Sequence, residues 1–209
     1  MEFARVVRRR RMVRDYDPDR PVSPATLDAL LDLAVRAPSA GFTQGWGFLV
    51  LTAPGELTRF WAAATPSDPD PRLDRWRAGL RRAPVVVVPF SSESAYLDRY
   101  AEPDKGWTDR DPARWPVPYW YVDAGMAALL LLQTAVDEGL GACFFGIPPE
   151  RVDTFRAAFA VPADRLPVGA VTLGHRVDDS GAAGSPSRRR RRPAAELVHR
   201  GRWGDTGLG

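Results

Sequence analysis

Apolar and polar positions fall along this chain in blocks that read as helices and strands in turn. Residues 3–11 have the pattern of a short helix, and residues 17–21, rich in Asp and Pro, form a turn. Ser23 then Pro24 supplies an N-cap with proline at the first helical position. Leu27, Leu30, Leu31, Ala34 and Val35 follow at the spacing of a core-facing stripe, which Pro38 ends. Residues 47–52 (GFLVLT) predict a buried strand, residues 54–64 a helix, 65–71 a linker and 72–82 a basic helix. A second buried strand spans 85–90 (VVVVPF), with Pro89 placing its end near an edge or a break. Residues 91–118 show no period and read as a long irregular loop, although Tyr96, Tyr100, Trp107 and Trp115 argue that it is ordered against something. The longest predicted helix spans 119–138 and is apolar on nearly every face, which suits a central position or a subunit interface. Gly139 and Gly141 stop it, and a strand at 142–145, a helix at 148–160 and a strand at 166–173 (LPVGAVTL) follow. Residues 178–187 have a flexible composition, and 188–203 regain apolar positions. This alternation predicts a layered α/β or α+β domain.

Composition narrows the classes. A chain of 209 residues suits one domain over 1–209, with an excursion at 91–118 and a C-terminal arm at 178–209. Cys143 is the only cysteine, which excludes intrachain disulfides and Cys-based metal sites; no metal is expected. No stretch reaches the roughly 20 apolar residues of a membrane helix, and the charged start lacks a secretory apolar run, so a soluble cytoplasmic protein is expected. The 29 basic residues are 28 Arg and Lys105, Asn is absent and Ile147 is the single Ile, a bias of genomic character. Position says more: one Arg run spans 8–11 and a second 188–192, either solvated faces or grips for a polyanion.

No Gly-rich phosphate loop, hydrolase elbow or zinc-binding helix motif is present. His175 and His199 sit beside Arg without a nucleophile in view, Cys143 reads as a core residue, and Asp123 reads as an N-cap of the long helix. The informative pattern is five separated segments in order. They are Arg10-Arg11-Met12-Val13-Arg14, then Ala37-Pro38-Ser39-Ala40-Gly41-Phe42-Thr43-Gln44-Gly45-Trp46, then the long helix running to Gly139-Leu140-Gly141. A strand ending Leu173-Gly174 and a basic tail before Glu196-Leu197-Val198 complete the set. In this order they resemble the FMN-dependent nitroreductase family over almost the whole chain.

That resemblance implies a central, mostly antiparallel sheet flanked by helices, a long apolar helix at a homodimer interface, and FMN as cofactor. It implies electrons arriving from NAD(P)H and leaving to a nitroaromatic, quinone or similar acceptor by a ping-pong route. Arg10 and Arg14, with Arg11 flanking and Arg189 and Arg191 closing from the tail, would hold the FMN phosphate; Arg suits bidentate phosphate contacts. Pro38, Ser39, Ala40, Phe42 and Gln44 would meet the ribityl chain or the polar edge of the flavin. Phe145 and Gly146 would bring a backbone N–H near flavin N5, where a residue without a side chain admits a flat ring. No side chain is assigned as an acid or base, because the flavin carries the chemistry. Met12, Phe42 and Gly45 stand where the family usually has Ser, Asn and Pro. Those departures leave open a flavin-binding protein without turnover, or a deazaflavin in place of FMN. A nucleic-acid-binding protein using both Arg runs, with steep salt dependence, is the reading from another class.

Overall fold

A computed structural model describes residues 1–66, 71–177 and 188–205. The chain divides into two units, Met1–Val177 and Asp178–Gly209. In chain order the first unit holds α1 (Phe3–Arg9), α2 (Pro24–Ala34), β1 (Trp46–Leu51), α3 (Pro54–Ala64), α4 (Pro71–Leu80) and β2 (Val85–Ser91). There follow α5 (Glu93–Ala101), α6 (Tyr119–Asp137), β3 (Gly141–Phe145), α7 (Val152–Ala158), β4 (Leu166–Pro167) and β5 (Ala170–Gly174). In the second unit a 3-10 turn at Ala194–Glu196 carries an Arg192–Glu196 ion pair at 2.9 Å, and the His199 and Trp203 rings stand 4.2 Å apart.

The sheet runs β1-β2-β5-β3, antiparallel throughout, with β4 beside the far end of β2. Its centre is the Val85–Val88 run, whose β-branched side chains suit a pleat buried on both faces. Val85 and Val87 join Leu30, Leu131 and Leu173 under α2 and α6, whereas Val86 and Val88 join Phe60, Leu80 and Phe155 under α3 and α7. The period of two thus divides one apolar run between two cores. Ser23 caps α2 as its sequence predicts, accepting from Thr26 N at 3.0 Å.

Pro89 falls where β2 changes partner, between the β5 pairing at Val85–Val87 and the β4 pairing at Phe90–Ser91. Its carbonyl accepts from Val168 N on that side, so the N–H it lacks also falls at the break. The predicted strand at 166–173 is two strands, split at Gly169. A Cβ there would stand 2.5 Å from the Phe144 ring, so only glycine fits.

Two further expectations are corrected. Residues 91–118 are not irregular throughout: they contain α5, capped by Ser92 Oγ accepting from Ala95 N at 3.3 Å. Asp123 is not an N-cap. It is the fifth residue of α6, and it is buried.

Candidate functional site

The Arg-rich start of the chain is stitched to the edge of the sheet. After α1 the backbone runs extended beside β3, with Met12 paired to Ala142, Val13 N donating to Ala142 O at 2.9 Å, and Phe144 N donating to Met12 Sδ at 3.4 Å. A Cβ at Gly141 would lie 2.8 Å from Val13, so glycine is what lets the two segments touch. Tyr16, fully buried, donates its hydroxyl to Val13 O at 2.8 Å and meets Thr172 Oγ1 at 2.9 Å. Burial holds that phenol well above its ordinary range.

The extended backbone sends alternate side chains to different places. Arg11 lines a crevice of about 40 Å³ with Arg9, Val13 and Arg176, around Gly139–Gly141 at the end of α6. Arg14 lines a separate cavity of about 410 Å³ with Asp15, Trp76, Ala78, Gly79 and Arg82. The structure therefore does not bring Arg11 and Arg14 into one cavity. Arg10 and Met12 are half-buried and line neither of these two cavities. Arg82 pairs with Asp15, and Arg14 Nη1 donates to Met12 O at 3.4 Å.

Trp76 joins this cavity to the end of β3. Its ring meets Phe145 edge-on at 5.8 Å, and Phe145 in turn stacks on Trp61 at 5.6 Å and 7°. Phe145 is thus held from both sides, and the chain turns outward at Gly146, which is exposed with no atom within 4 Å of where a Cβ would be. A cavity lined by Arg14 and by the Arg82–Asp15 pair suits the anionic end of a ligand.

The residues Pro38–Gln44 form a loop at the start of β1. Gly41, Phe42 and Gln44 have φ of 61°, 56° and 54°, a left-handed conformation that costs of order 1–3 kcal/mol for a non-glycine residue. Ser39 Oγ accepts from Gln44 N at 3.0 Å, which ties the loop ends. Asp123 Oδ2 accepts from Ala40 N at 2.8 Å and from Tyr96 Oη at 2.7 Å. Arg99 Nε donates to Gly41 O at 2.9 Å. Phe42 is 76% exposed, Pro38 and Gln44 are exposed, and Ser39 and Ala40 are half-buried. Burial and the Asp123 contact push the Tyr96 phenol well above its ordinary range.

The aromatics of residues 91–118 face one another. Trp115 lies 4.5 Å from Tyr100 and 5.9 Å from Tyr96, and Tyr100 lies 4.9 Å from Trp107. Arg189 and Arg191 lie in the second unit, both exposed. Cys143 is buried and its thiol is pushed up to about 11 by desolvation, so it remains a neutral core group. Trp76, Gly79, Arg82 and Arg99 are site neighbours that the sequence does not single out, whereas Tyr96 stands out there only as a ring of the excursion and Asp123 only as an N-cap. Ser92, as an N-cap before a Tyr96/Tyr100 pair one helical turn apart, is the signal that places Tyr96 and Arg99 on a helix.

A family model described as the nitroreductase family matches residues 7–175. The chain belongs to the nitroreductase family. A relative in Thermus thermophilus named NADH dehydrogenase is 28% identical over 200 residues, covering 87% of this chain and 88% of the relative. A nitroreductase-type protein from Desulfovibrio desulfuricans, solved in complex with FMN, superposes with a TM-score of 0.69 at 25% identity, over 95% of each chain. A nitroreductase-like protein from Streptococcus mutans gives a TM-score of 0.71 at 18% identity, over 95% of this chain and 97% of that one. The family fold, an antiparallel sheet flanked by helices, is the fold that the resemblance implies, and it falls within the layered α/β or α+β class that the sequence pattern predicts. No described helix is long and apolar enough to cross a membrane, and no described cluster of side chains could hold a metal ion.

Proposed function

We propose that this nitroreductase-family chain is an FMN-dependent oxidoreductase that takes electrons from NAD(P)H and delivers them to a nitroaromatic, quinone or similar flat acceptor. The observation that carries this is the cavity lined by Arg14, Arg82 and Trp76, with the Trp76 ring packed on Phe145, the residue before the exposed Gly146. When bound, FMN supplies the redox chemistry, passing electrons from nicotinamide to acceptor in two successive half-reactions. The chain's own work is to bind, orient and exclude water. Arg14 would hold the phosphate dianion, with Arg10, which lies outside the lining of that cavity, as the second grip that the family resemblance implies. Met12 replaces the hydroxyl usual in the family, and its sulfur faces the Phe144 N–H instead. Gly146, with open space where a Cβ would be, would leave the backbone accessible to a flat ring.

The loop 38–44 and Gly146 stand at the same end of the sheet but at opposite edges, β1 and β3. Three inter-strand spacings separate those edges by about 14 Å. A homodimer brings the second copy's Ser39 and Gln44 to the flavin, and the outward face of α6, with Met126 and Leu129 41% and 43% exposed, is the surface it uses.

The protein purified without added cofactor is expected to be yellow, to release FMN on denaturation, to bleach anaerobically with NADH or NADPH, and to recover colour with a quinone. A colourless protein that takes up no added FMN overturns the reading. Bound FMN that neither nicotinamide bleaches leaves a binding protein without turnover.

A further inference from the structure

The residues that hold loop 40–44 come from parts of the chain far from it, and they converge on one buried oxygen. Asp123 is 3% exposed and Tyr96 fully buried. Asp123 Oδ2 accepts from both Ala40 N–H, at 2.8 Å, and Tyr96 O–H, at 2.7 Å. A buried acceptor already holding two donors has few alternative geometries, and a buried donor that loses its acceptor bears the full desolvation cost.

The same brace continues along α5. Tyr96 and Tyr100 are one helical turn apart and meet two glycines of the loop. A Cβ at Gly45 would stand 2.5 Å from the Tyr96 ring, and one at Gly41 would stand 2.7 Å from the Tyr100 ring. Between these two tyrosines in sequence, Arg99 donates to Gly41 O at 2.9 Å, and its guanidinium is fixed by Asp104 at 2.7 Å. Trp115 packs on the outer side of both tyrosines. The loop so braced contains three left-handed residues, two of them not glycine. Such a conformation persists only where its surroundings over-determine it.

We propose that Asp123 is a positioning residue for the cofactor: by holding Ala40 N–H and Tyr96 O–H on one carboxylate oxygen, it fixes loop 40–44 in the left-handed form that presents Ser39 and Gln44 to FMN. This rests on the flavin reading above. Asp123 itself touches no ligand; it acts through the backbone of Ala40. The excursion at 91–118 therefore serves the site as a scaffold, with its rings spent on the loop and on one another.

The test compares Asp123→Ala, Asp123→Asn and Tyr96→Phe in the full chain. FMN affinity is read by flavin fluorescence, and amide hydrogen exchange of loop 40–44 is read without FMN. Asp123→Ala strands the buried Tyr96 hydroxyl and the half-buried Ala40 N–H and should weaken FMN binding about tenfold or more while accelerating exchange at Ala40. Asp123→Asn keeps an acceptor oxygen and should stay within about threefold of wild type. Tyr96→Phe removes one donor and keeps the Ala40 bond, so it should fall between them. If Asp123→Ala fails to fold, the order Asn tighter than Phe decides instead. Equal affinity of Asp123→Ala and wild type overturns the inference, as does an Asp123→Asn variant or a Tyr96→Phe variant that loses as much as Ala. A wild type that binds no FMN overturns the flavin reading, and this inference with it; a wild type that binds FMN isolates the outcome to Asp123.

Discussion

Arg14 is the residue on which the proposed phosphate grip turns. Its side chain lines the 410 Å³ cavity, whereas Arg11, three positions earlier, lines another crevice. A charge-assisted contact to a phosphate is worth about 1.5–3 kcal/mol. Arg14→Ala should therefore weaken FMN binding roughly 10- to 100-fold, measured by fluorescence titration, with the circular dichroism spectrum unchanged; affinity equal to wild type would sink the assignment. The run of Arg at 8–11 was legible as a candidate anion grip, but the division that puts Arg9 and Arg11 in one crevice and Arg14 in another cavity was not. That division comes from the extended backbone beside β3, a long-range pairing that no local pattern announces. Asp123 was misread for a related reason. An Asp near the start of a helix usually serves that helix's own N–H groups, and here it serves Ala40, 83 positions away.

At the scale of elements, the apolar runs at β2 and β3 and the stripe of α2 placed their elements well, because burial sets those patterns, whereas β1, expected to be buried, lies at a sheet edge and is half-buried except at Leu51. The errors fall where packing decides. Gly169 splits a predicted strand because the Phe144 ring occupies the space of a Cβ. Helix α5 was hidden because Tyr96, Tyr100 and later tryptophans give no clean apolar period; their rings face a loop rather than a core. Gly79 on α4 offers a test of how tightly α4 holds the Arg14 segment, since a Cβ there would overlap the Arg14 carbonyl oxygen. Helix propensity favours alanine over glycine by about 0.5–1 kcal/mol, but overpacking costs about 1–3 kcal/mol. The clash should win: Gly79→Ala should lower the melting temperature in a thermal melt. A rise would show that the segment yields freely and does not define the cavity.

At the scale of the molecule, the sheet places two parts of the proposed site on opposite edges, and in the proposed homodimer a second copy joins them. The apolar character of residues 119–138 suggested an interface or a central place, and one face of the helix takes the central place while another is left exposed. Leu131 and Ala135 are buried in the core, and Met126 and Leu129 point outward. Leu129→Asp puts a charge on the outward face without touching the core. Sedimentation velocity should show a dimer for wild type and a shift to monomer for Leu129→Asp, with FMN lost on dissociation. An unchanged dimer would move the interface elsewhere.

The stitching of Met12 to β3 also sets an order of events in synthesis. Met12 and Phe144 are 132 positions apart, so the segment bearing Arg14 leaves the ribosome long before the strand that anchors it. At about 5–20 residues per second the interval is roughly 7–26 s. During that time the N-terminal arginines have no sheet edge to lie against. Their arrangement is completed only when β3 and β5 have emerged, so a chain arrested before residue 141 lacks the strand against which Met12 is held.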